Sequence, residues 1–288
     1  MKYYKVCFNI SAPDWLMADS CDLLVAMAGD AGFEAFDDND TYPQNILVGY
    51  VQTNMLNKEL LDDTIKNFPF NDVTISYNIE NAEDKNWNEE WEKNGFMPVI
   101  ISEKCVIHDG KHHPDKDYSI AVEIIPKQAF GTGLHETTRM IISELLEIDL
   151  KGKYILDCGC GTGILGITAL KCGAKYVLGY DIDEWSIKNT RYNSSANFVD
   201  SCYDTVLGDA SILRNIKQKF NIIMANINRN ILLSDMASFI ERLDKGGIIL
   251  LSGFYTEDIP ILESEAQRHD MKVECIKEEN GWAMLKIV

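Results

Sequence analysis

Two hydrophobic patterns occur over the first 80 residues, and each predicts one type of element. Short apolar runs, some with every second position polar, are typical of strands, whereas apolar positions three and four residues apart are typical of helices. Strands are predicted at residues 3–9, 32–36, 45–52 and 73–79, and helices at 14–29 and 56–67. Pro13 precedes the first helix, and Gly29 is predicted to end it. The order βαββαβ predicts a small ferredoxin-like α+β domain over residues 1–80.

Residues 81–117 are predicted to connect this domain to the rest of the chain. Trp87 and Trp91 are four residues apart, so they lie on one face of a predicted linker helix. Two tryptophans at this spacing usually pack against a neighbouring domain. Short strands are predicted around residues 98–101 and 104–108, and a polar loop at 109–117.

From residue 118 onward strands and helices alternate, which predicts an α/β domain over residues 118–288. The predicted strands are residues 154–158, 176–180, 203–207, 221–225 and 247–252, and the predicted helices are 164–172, 184–197, 231–243 and 259–269. A predicted hairpin of residues 272–276 and 283–288 closes the chain.

The net charge of the chain limits the kinds of macromolecule that it is expected to bind. The chain of 288 residues has 27 Lys and Arg against 45 Asp and Glu, a formal net charge of −18. Proteins that bind nucleic acid by neutralising phosphates use clustered cations, so we expect no direct nucleic-acid binding. Half of the net charge lies in residues 1–80, which contain four Lys, no Arg and thirteen Asp and Glu. This excess is either a solvated surface or a recognition surface for a basic protein.

Targeting and redox signals are negative. The first residues lack the apolar core of a signal peptide, and no apolar stretch reaches the length of a membrane span. Eight cysteines are scattered through the chain, several in apolar runs where reduced core thiols are usual. Cys158 and Cys160 form a CxC pair, but no second pair or nearby histidine completes a zinc site. We therefore expect a cytoplasmic monomer with no bound metal and no membrane contact.

The strongest chemical signal is the glycine-rich run Asp157-Cys-Gly159-Cys-Gly161-Thr-Gly163. It lies between a predicted strand and a predicted helix, where backbone amides and the positive end of the helix dipole can meet a ligand. Glycine is needed where a Cβ would block the approach of an adenosine-bearing ligand. Asp181 follows Gly161 by twenty residues, at the end of the next strand, where an acid can accept both ribose hydroxyls.

Two cofactors fit this pattern. Gly161, Gly163 and Gly166 satisfy GxGxxG, so an NAD-dependent oxidoreductase is one hypothesis. With Asp157 the pattern becomes DxGxGxG, which resembles the S-adenosylmethionine loop of Rossmann-like class I methyltransferases, where this acid often interacts with the ammonium group of the cosubstrate. The closing hairpin also resembles methyltransferase topology, whose last strand is inserted antiparallel. A third hypothesis is a scaffold with a decayed pocket, but the loop glycines and the ribose acid argue against decay.

Two further positions bear on the ligand and the substrate. Asp209 follows a strand, at the position where many methyltransferases bind the adenine amino group, and Asn226 ends the fourth strand. Methyltransferases that act on planar amides or base amines usually have an NPPY-like tetrad at this point. This chain has Asn226-Ile227-Asn228-Arg229 instead, so those substrates are disfavoured.

A second distinctive segment, residues 129–138 (AFGTGLHETT), precedes the glycine loop. Its two glycines permit a tight turn, and Thr137 or Thr138 falls in the first turn of the helix that leads to the first strand. A hydroxyl and His135 on this lip could close over a cosubstrate. A histidine there by itself is more often a surface residue of a capping loop.

These strings together resemble a named family. The runs AFGTGLHETT, LDCGCGTGILGI, GYDID and ANI are similar to those of the bacterial methyltransferase of large-subunit ribosomal protein eleven. The resemblance covers residues 80–288, and the amino-terminal region matches in size and element order. It implies a small substrate-recognition domain joined by a linker helix to a Rossmann-like domain, which moves methyl groups from S-adenosylmethionine to lysine side chains and the amino-terminal amine of that basic ribosomal protein.

The resemblance also implies roles for individual residues. By motif the cosubstrate contacts are Thr138, Gly159, Asp181 and Asn226, and Asn226 is also the candidate for orienting the amine. Five further residues are expected to line or support the same pocket, namely Phe130, His135, Asp157, Gly161 and Asp209. The run NRN after ANI and an extended segment at 109–117 depart from the family and could alter the substrate entrance. A methyltransferase that acts on another protein or a small molecule therefore remains an alternative.

Overall fold

The computed structural model describes residues 3–37, 43, 45–70, 72–82, 95–125, 131 and 133–288. The chain divides into two compact units, Met1–Asn86 and Trp87–Val288. The predicted linker helix with Trp87 and Trp91 lies outside the described residues. No helix in the described ranges has the length and apolar character needed to cross a membrane.

The first unit is a four-stranded antiparallel sheet with two helices. Its elements are β1 (Tyr3–Ser11), a 3-10 turn (Asp14–Leu16), α1 (Met17–Asp30), β2 (Phe33–Phe36), β3 (Ile46–Gln52), α2 (Lys58–Lys66) and β4 (Thr74–Asn81). The strand order is β2-β3-β1-β4. Val6, Phe8 and Ile10 alternate along β1 and are buried in one core with Leu24 and Ala28 of α1. The predicted ferredoxin-like order is confirmed.

The end of α1 differs from the prediction. The helix passes through Gly29 and ends at Asp30, and the left-handed residue is Gly32, with φ of +101°. A Cβ on Gly32 would lie 2.4 Å from the carbonyl oxygen of Met55, so both conformation and space require glycine there. The prediction that Gly29 ends this helix was therefore wrong, because the left-handed glycine lies three residues later, at Gly32.

The first described strands of the second unit form a small sheet of β5 (Val99–Ile100), β6 (Cys105–His108) and β7 (Ile120–Glu123). β5 and β6 are antiparallel, as expected of neighbouring strands joined by a short loop. β7 was not predicted, and it pairs parallel to β6 after the polar loop. Its four residues give too short a pattern to identify a strand from sequence alone.

The remaining elements form the large α/β part of the second unit. The helices are α3 (Glu136–Leu145), α4 (Ile164–Lys171), α5 (Glu184–Ala196), α6 (Arg229–Arg242) and α7 (Ile259–Arg268). The strands are β8 (Tyr154–Cys158), β9 (Tyr176–Asp181), β10 (Tyr203–Leu207), β11 (Phe220–Asn226), β12 (Leu243–Tyr255), β13 (Val273–Glu279) and β14 (Trp282–Ile287). Short 3-10 turns occur at Asp200–Cys202, Ala210–Asn215 and Thr256–Asp258.

The seven strands are ordered β10-β9-β8-β11-β12-β14-β13. β8 to β12 are parallel, and β14 is inserted antiparallel between β12 and β13. This is the Rossmann-like methyltransferase topology predicted from the closing hairpin. Two apolar cores cover its two faces, one containing Ile141 of α3 and the other Phe239 of α6. The carboxyl ends of β9, β8 and β11 are neighbours, and ligands bind at this edge of open α/β sheets.

A ladder of buried amides on α5 holds this edge together. Asn193 accepts a hydrogen bond from the Ile125 backbone N–H (3.1 Å) and donates to the Thr162 carbonyl (2.9 Å). One turn later Asn197 accepts from the Glu123 N–H (3.0 Å) and donates to its carbonyl (2.6 Å). One side of α5 therefore binds both the glycine loop and the chain that follows β7.

We predict that Asn193→Ala destabilises the protein by about 3 kcal/mol, because it leaves the Ile125 N–H and the Thr162 carbonyl without their partner. Urea unfolding measures the change in free energy. Ser195→Ala, an exposed position on the same helix, is the matched control and should change it by less than about 0.5 kcal/mol. A loss below about 1 kcal/mol in Asn193→Ala would show that the ladder is not a structural support.

Candidate functional site

The glycine loop is bonded directly to the end of the neighbouring strand. The N–H groups of Gly159 and Cys160 both donate to the Tyr180 carbonyl, at 2.9 and 3.0 Å. The Gly161 N–H donates to Oδ2 of Asp181 at 2.9 Å. The loop and the predicted ribose acid therefore form one hydrogen-bonded unit.

Two glycines of the loop are required by the backbone. Gly159 has φ of +71°, and a Cβ there would lie 2.5 Å from Cγ2 of Ile227. Gly163, the residue before α4, has φ of +83°, and a Cβ there would lie 2.9 Å from Cγ2 of Thr190. Larger residues would be strained and would push the loop away from its neighbours.

Asp181 holds the glycine loop in place and can also accept hydrogen bonds from a ligand. Its side chain is at the carboxyl end of β9 and 7% exposed, and burial raises its pKa. Oδ1 accepts from the Asp183 N–H at 2.9 Å, and Oδ2 accepts from Gly161. A carboxylate oxygen can accept two hydrogen bonds, so the same group can hold the loop and accept ligand hydroxyls.

Asp157 is a buried acid behind the loop. Its residue is 1% exposed, and Oδ2 accepts from the Tyr203 hydroxyl (2.6 Å) and from the Gly166 N–H in the first turn of α4 (3.1 Å). Burial raises the pKa of Asp157 to about 7, although both hydrogen bonds favour the ionised form. Tyr203 was not singled out in the sequence, because nothing local marks a partner 46 residues away.

Thr138 and Asn226 meet although they are 88 residues apart. The Asn226 Nδ2 group donates to Oγ1 of Thr138 at 3.3 Å. Thr138 is buried in the first turn of α3, and Asn226 is the half-buried last residue of β11. The structure therefore brings the lip segment and the ANI segment to one point, next to the strand that carries the glycine loop.

His135 caps the helix of the lip. Its Nδ1 accepts from the Thr137 N–H at 3.3 Å and lies 2.8 Å from the Thr137 hydroxyl. Burial lowers the pKa of His135, so the neutral ring is favoured. The ring also meets Trp282 edge-on, with centroids 4.8 Å apart. Phe130, the other lip residue of interest, lies outside the described residues.

Asp209 lies on the far side of the same edge. It follows β10, and its side chain accepts from the Ser211 N–H at 2.9 Å, which together with the Ser211 hydroxyl lowers its pKa. The Gly208 N–H donates to the Asp181 carbonyl at 2.9 Å, so the two acids sit on adjoining strand ends. Ile182, which follows Asp181, and Leu207, the last residue of β10, are exposed apolar side chains that no sequence motif predicted for this edge.

The described side chains include no group of three or more His, Cys, Asp or Glu that could hold a metal ion. The chemistry of this edge instead combines three acids, a glycine loop and one amide–hydroxyl pair. Acids accept hydrogen bonds from hydroxyl, amino and ammonium groups, so the edge suits a ligand that carries several such donors.

Comparison with known proteins gives one consistent family. The family model described as ribosomal protein L11 methyltransferase (PrmA) matches residues 22–288. Proteins named ribosomal protein L11 methyltransferase from Bacteroides fragilis and Phocaeicola vulgatus are 43% and 42% identical to this chain over 290 residues. Each alignment covers 100% of this chain, and 100% and 99% of the respective relative.

A solved structure is similar as well. The ribosomal protein L11 methylase from Lactobacillus delbrueckii subsp. bulgaricus is 27% identical in sequence and superposes with a TM-score of 0.60. The match covers 67% of this chain and 98% of that one. The similarity extends over nearly the whole of the Lactobacillus protein, and it agrees with the topology of the large sheet.

The raised pKa of Asp157 predicts a pH-dependent stability. Its folded pKa of about 7 lies above the unfolded value of about 4, so the folded state binds the extra proton and loses stability as pH rises between these values. Asp157→Asn removes this loss. We predict that, relative to wild type, the unfolding free energy of Asp157→Asn increases by about 2–3 kcal/mol between pH 5 and pH 8.

Urea unfolding of both proteins at the two pH values measures this change. Asp209→Asn is the control, because the pKa of Asp209 is lowered and its contribution is already complete above its unfolded pKa. That variant should differ from wild type by the same amount at pH 5 and pH 8. A pH-independent difference for Asp157→Asn would contradict the burial of a titrating acid at this position.

Proposed function

Because the chain belongs to the ribosomal protein L11 methyltransferase family, we propose that it transfers methyl groups from S-adenosylmethionine to lysine side chains and the amino-terminal amine of ribosomal protein L11. One observation carries the proposal. The acid-bearing glycine loop and the Thr138–Asn226 pair lie on adjacent strand ends of one sheet. This arrangement offers one place for a nucleoside ligand and another for an incoming amine.

The residues at this edge fit S-adenosylmethionine. Gly159 has no room for a side chain, because a Cβ there would meet Ile227, so the loop has only backbone at this point. The cosubstrate carries ribose hydroxyls, an ammonium group and an adenine amino group, all of which donate hydrogen bonds. The expected acceptors are Asp181 for the ribose hydroxyls, Asp157 for the ammonium group and Asp209 for the adenine amino group. Each donor group of the cosubstrate therefore has an acid at this edge to accept from it.

The same geometry disfavours NAD. A dinucleotide places its pyrophosphate at the amino terminus of the helix after the glycine loop. Here the carboxylate of Asp157 already accepts from the Gly166 N–H in the first turn of α4. A phosphate there would meet a negative group of the protein in a buried setting, whereas an ammonium group would be attracted to it.

Asn226 is the residue that we propose orients the amine. When bound, S-adenosylmethionine supplies a methyl group that the positively charged sulfur already activates. Asn226 donates through Nδ2 to Thr138, and its Oδ1 is the amide atom that can accept from an amine N–H. Alignment of the amine lone pair and exclusion of water then account for the rate increase that the protein must supply.

The amine must be neutral to attack. A lysine side chain has a pKa of about 10.4 in water, so most of it is protonated near pH 7. Desolvation in the pocket lowers that pKa, and the released proton passes to solvent. We assign no general base. His135 is neutral, but its Nδ1 is engaged with Thr137, so its role is to cap the lip.

We propose that the first unit recognises the substrate. In this proposal residues 1–80 are the recognition domain, 81–117 the linker and 118–288 the catalytic domain, and β5 and β6 of the linker pack in the second unit. Ribosomal proteins are usually basic, and the acids of this unit include the exposed residues Asp19, Asp22 and Asp30 of α1. Their attraction for a basic protein would weaken as salt rises. The strong negative charge also favours a monomer that avoids nucleic acid, and we place the activity in the cytoplasm.

We predict that Asp181→Ala weakens the binding of S-adenosylhomocysteine by at least tenfold, because it removes the acceptor for the ribose and releases the Gly161 N–H. Isothermal titration calorimetry measures the Kd. Asp200→Ala, an exposed acid beyond α5, is the matched control and should leave the Kd within twofold. Titration with NAD should give no binding.

Three other outcomes would contradict the proposal. Unchanged affinity in Asp181→Ala would remove this acid from the site. Binding of NAD in place of S-adenosylhomocysteine would support the oxidoreductase, and binding of neither would support the scaffold.

A further inference from the structure

We propose that Tyr255, Trp282 and His135 form an aromatic wall that receives the substrate amine and its alkyl stem. The inference rests on the proposed methyl transfer and deepens it, since it assigns a recognition surface for the amine. The three residues come from the end of β12, the start of β14 and the lip, so they are distant in sequence.

The rings form one continuous group. Tyr255 stacks on Trp282 with ring centroids 4.2 Å apart and an angle of 30° between the planes. His135 also meets Trp282 edge-on, with ring centroids 4.8 Å apart and an angle of 72° between the planes. Tyr255 is 53% exposed, and Trp282 and His135 are half-buried. The group is therefore open to an incoming side chain.

The order of strands places this group beside the proposed transfer point. Asn226 on β11 pairs in register with Ser252 on β12, and Tyr255 is three residues further along that strand. His135 is one turn before Thr138, the hydrogen-bond partner of Asn226. Along the carboxyl edge of the sheet the order is Asp181 on β9, the glycine loop after β8, Asn226 on β11 and Tyr255 on β12. A substrate that approaches from the β12 side meets the rings first.

The segment that bears Tyr255 is anchored to the run after ANI. Arg229 forms an ion pair with Asp258 at 2.8 Å, and the other oxygen of Asp258 accepts from the Tyr255 N–H at 3.2 Å. Arg229 belongs to the NRN run that follows the ANI segment. This run therefore has a structural role, because it fixes the backbone of Tyr255.

The segment that bears Trp282 is anchored to the lip helix. Arg139 of α3 pairs with Glu279 at 2.5 Å, and the Asn280 amide donates to Glu136 at 2.9 Å. The Thr256 N–H also donates to the Gly281 carbonyl at 2.9 Å, which joins the two ring-bearing segments. The wall is thus held from both sides before any substrate arrives.

Its chemistry suits an amine that becomes a cation. A lysine stem packed on the apolar ring faces brings its amine out of water, which favours the neutral form needed for attack. The amine lone pair forms the N–C bond, the C–S bond breaks with its electron pair on sulfur, and positive charge appears on nitrogen until a proton leaves to water. Aromatic faces stabilise such a cation, and a neutral His135 does not repel it. Lysine stems also pack well on flat apolar surfaces.

The test replaces ring faces with aliphatic groups. Tyr255→Leu and Trp282→Leu should each lower kcat/KM for methyl transfer to purified ribosomal protein L11 by at least tenfold, while the Kd for S-adenosylhomocysteine stays within twofold. Tyr255→Phe retains a ring and should keep kcat/KM within threefold. Tyr192→Leu, an exposed tyrosine on α5, is the matched control with wild-type values. Values within twofold of wild type for both leucine variants would overturn the inference.

A second measurement needs no turnover. Tryptophan fluorescence of the protein saturated with S-adenosylhomocysteine is titrated with tetramethylammonium chloride, and sodium chloride serves as the ionic control. We expect a saturable change that is lost in Trp282→Leu and Tyr255→Leu. A change that persists in Tyr255→Leu would overturn the wall. If wild type fails to methylate L11 but shows this titration, the proposed function fails while the amine-binding wall stands.

Discussion

The buried asparagines of α5 are the constraint on which the candidate site depends. Asn193 binds the backbone of the glycine loop at Thr162 and the backbone that follows β7 at Ile125. Thr190 adds a hydrogen bond to the Gly161 carbonyl at 2.8 Å. Loop backbone away from water must find partners for its N–H and carbonyl groups, and here one helix face supplies them. These hydrogen bonds hold the loop in one conformation before a ligand binds.

That rigid frame holds two acids whose ionised forms are disfavoured. Burial raises the pKa of both Asp157 and Asp181, and the charge of Asp181 adds to the effect on Asp157. A chain selected for stability alone would gain from neutral residues there. Perturbed acids at the carboxyl edge of an α/β sheet are instead typical of a binding site, where a cationic ligand offsets the cost. The positive charge of the proposed cosubstrate provides that offset.

Much of this molecule could be predicted from sequence, because the relevant signals are local. Hydrophobic periodicity identified the order βαββαβ and the closing hairpin, and the glycine run identified the loop between β8 and α4. The contacts that complete the site are not local. The hydrogen bond between Tyr203 and Asp157 joins residues that are 46 positions apart in the sequence. The hydrogen bond between Asn197 and Glu123 joins residues that are 74 positions apart. The available signal was the four-residue spacing of Asn189 and Asn193 on α5 and Asn197 at its C-cap, but polar residues on a helix usually face solvent. Phe130 stays a prediction, since it lies outside the described residues.

The central claim is that this protein moves a methyl group to an amine of a ribosomal protein. The direct measurement is mass spectrometry of purified ribosomal protein L11 after incubation with the protein and S-adenosylmethionine. We expect the mass of L11 to rise by whole methyl increments, with the modified sites at lysine side chains or the amino-terminal amine. An unmodified L11, together with transfer of labelled methyl groups to a nucleic acid or a small molecule in a cell extract, would contradict the account.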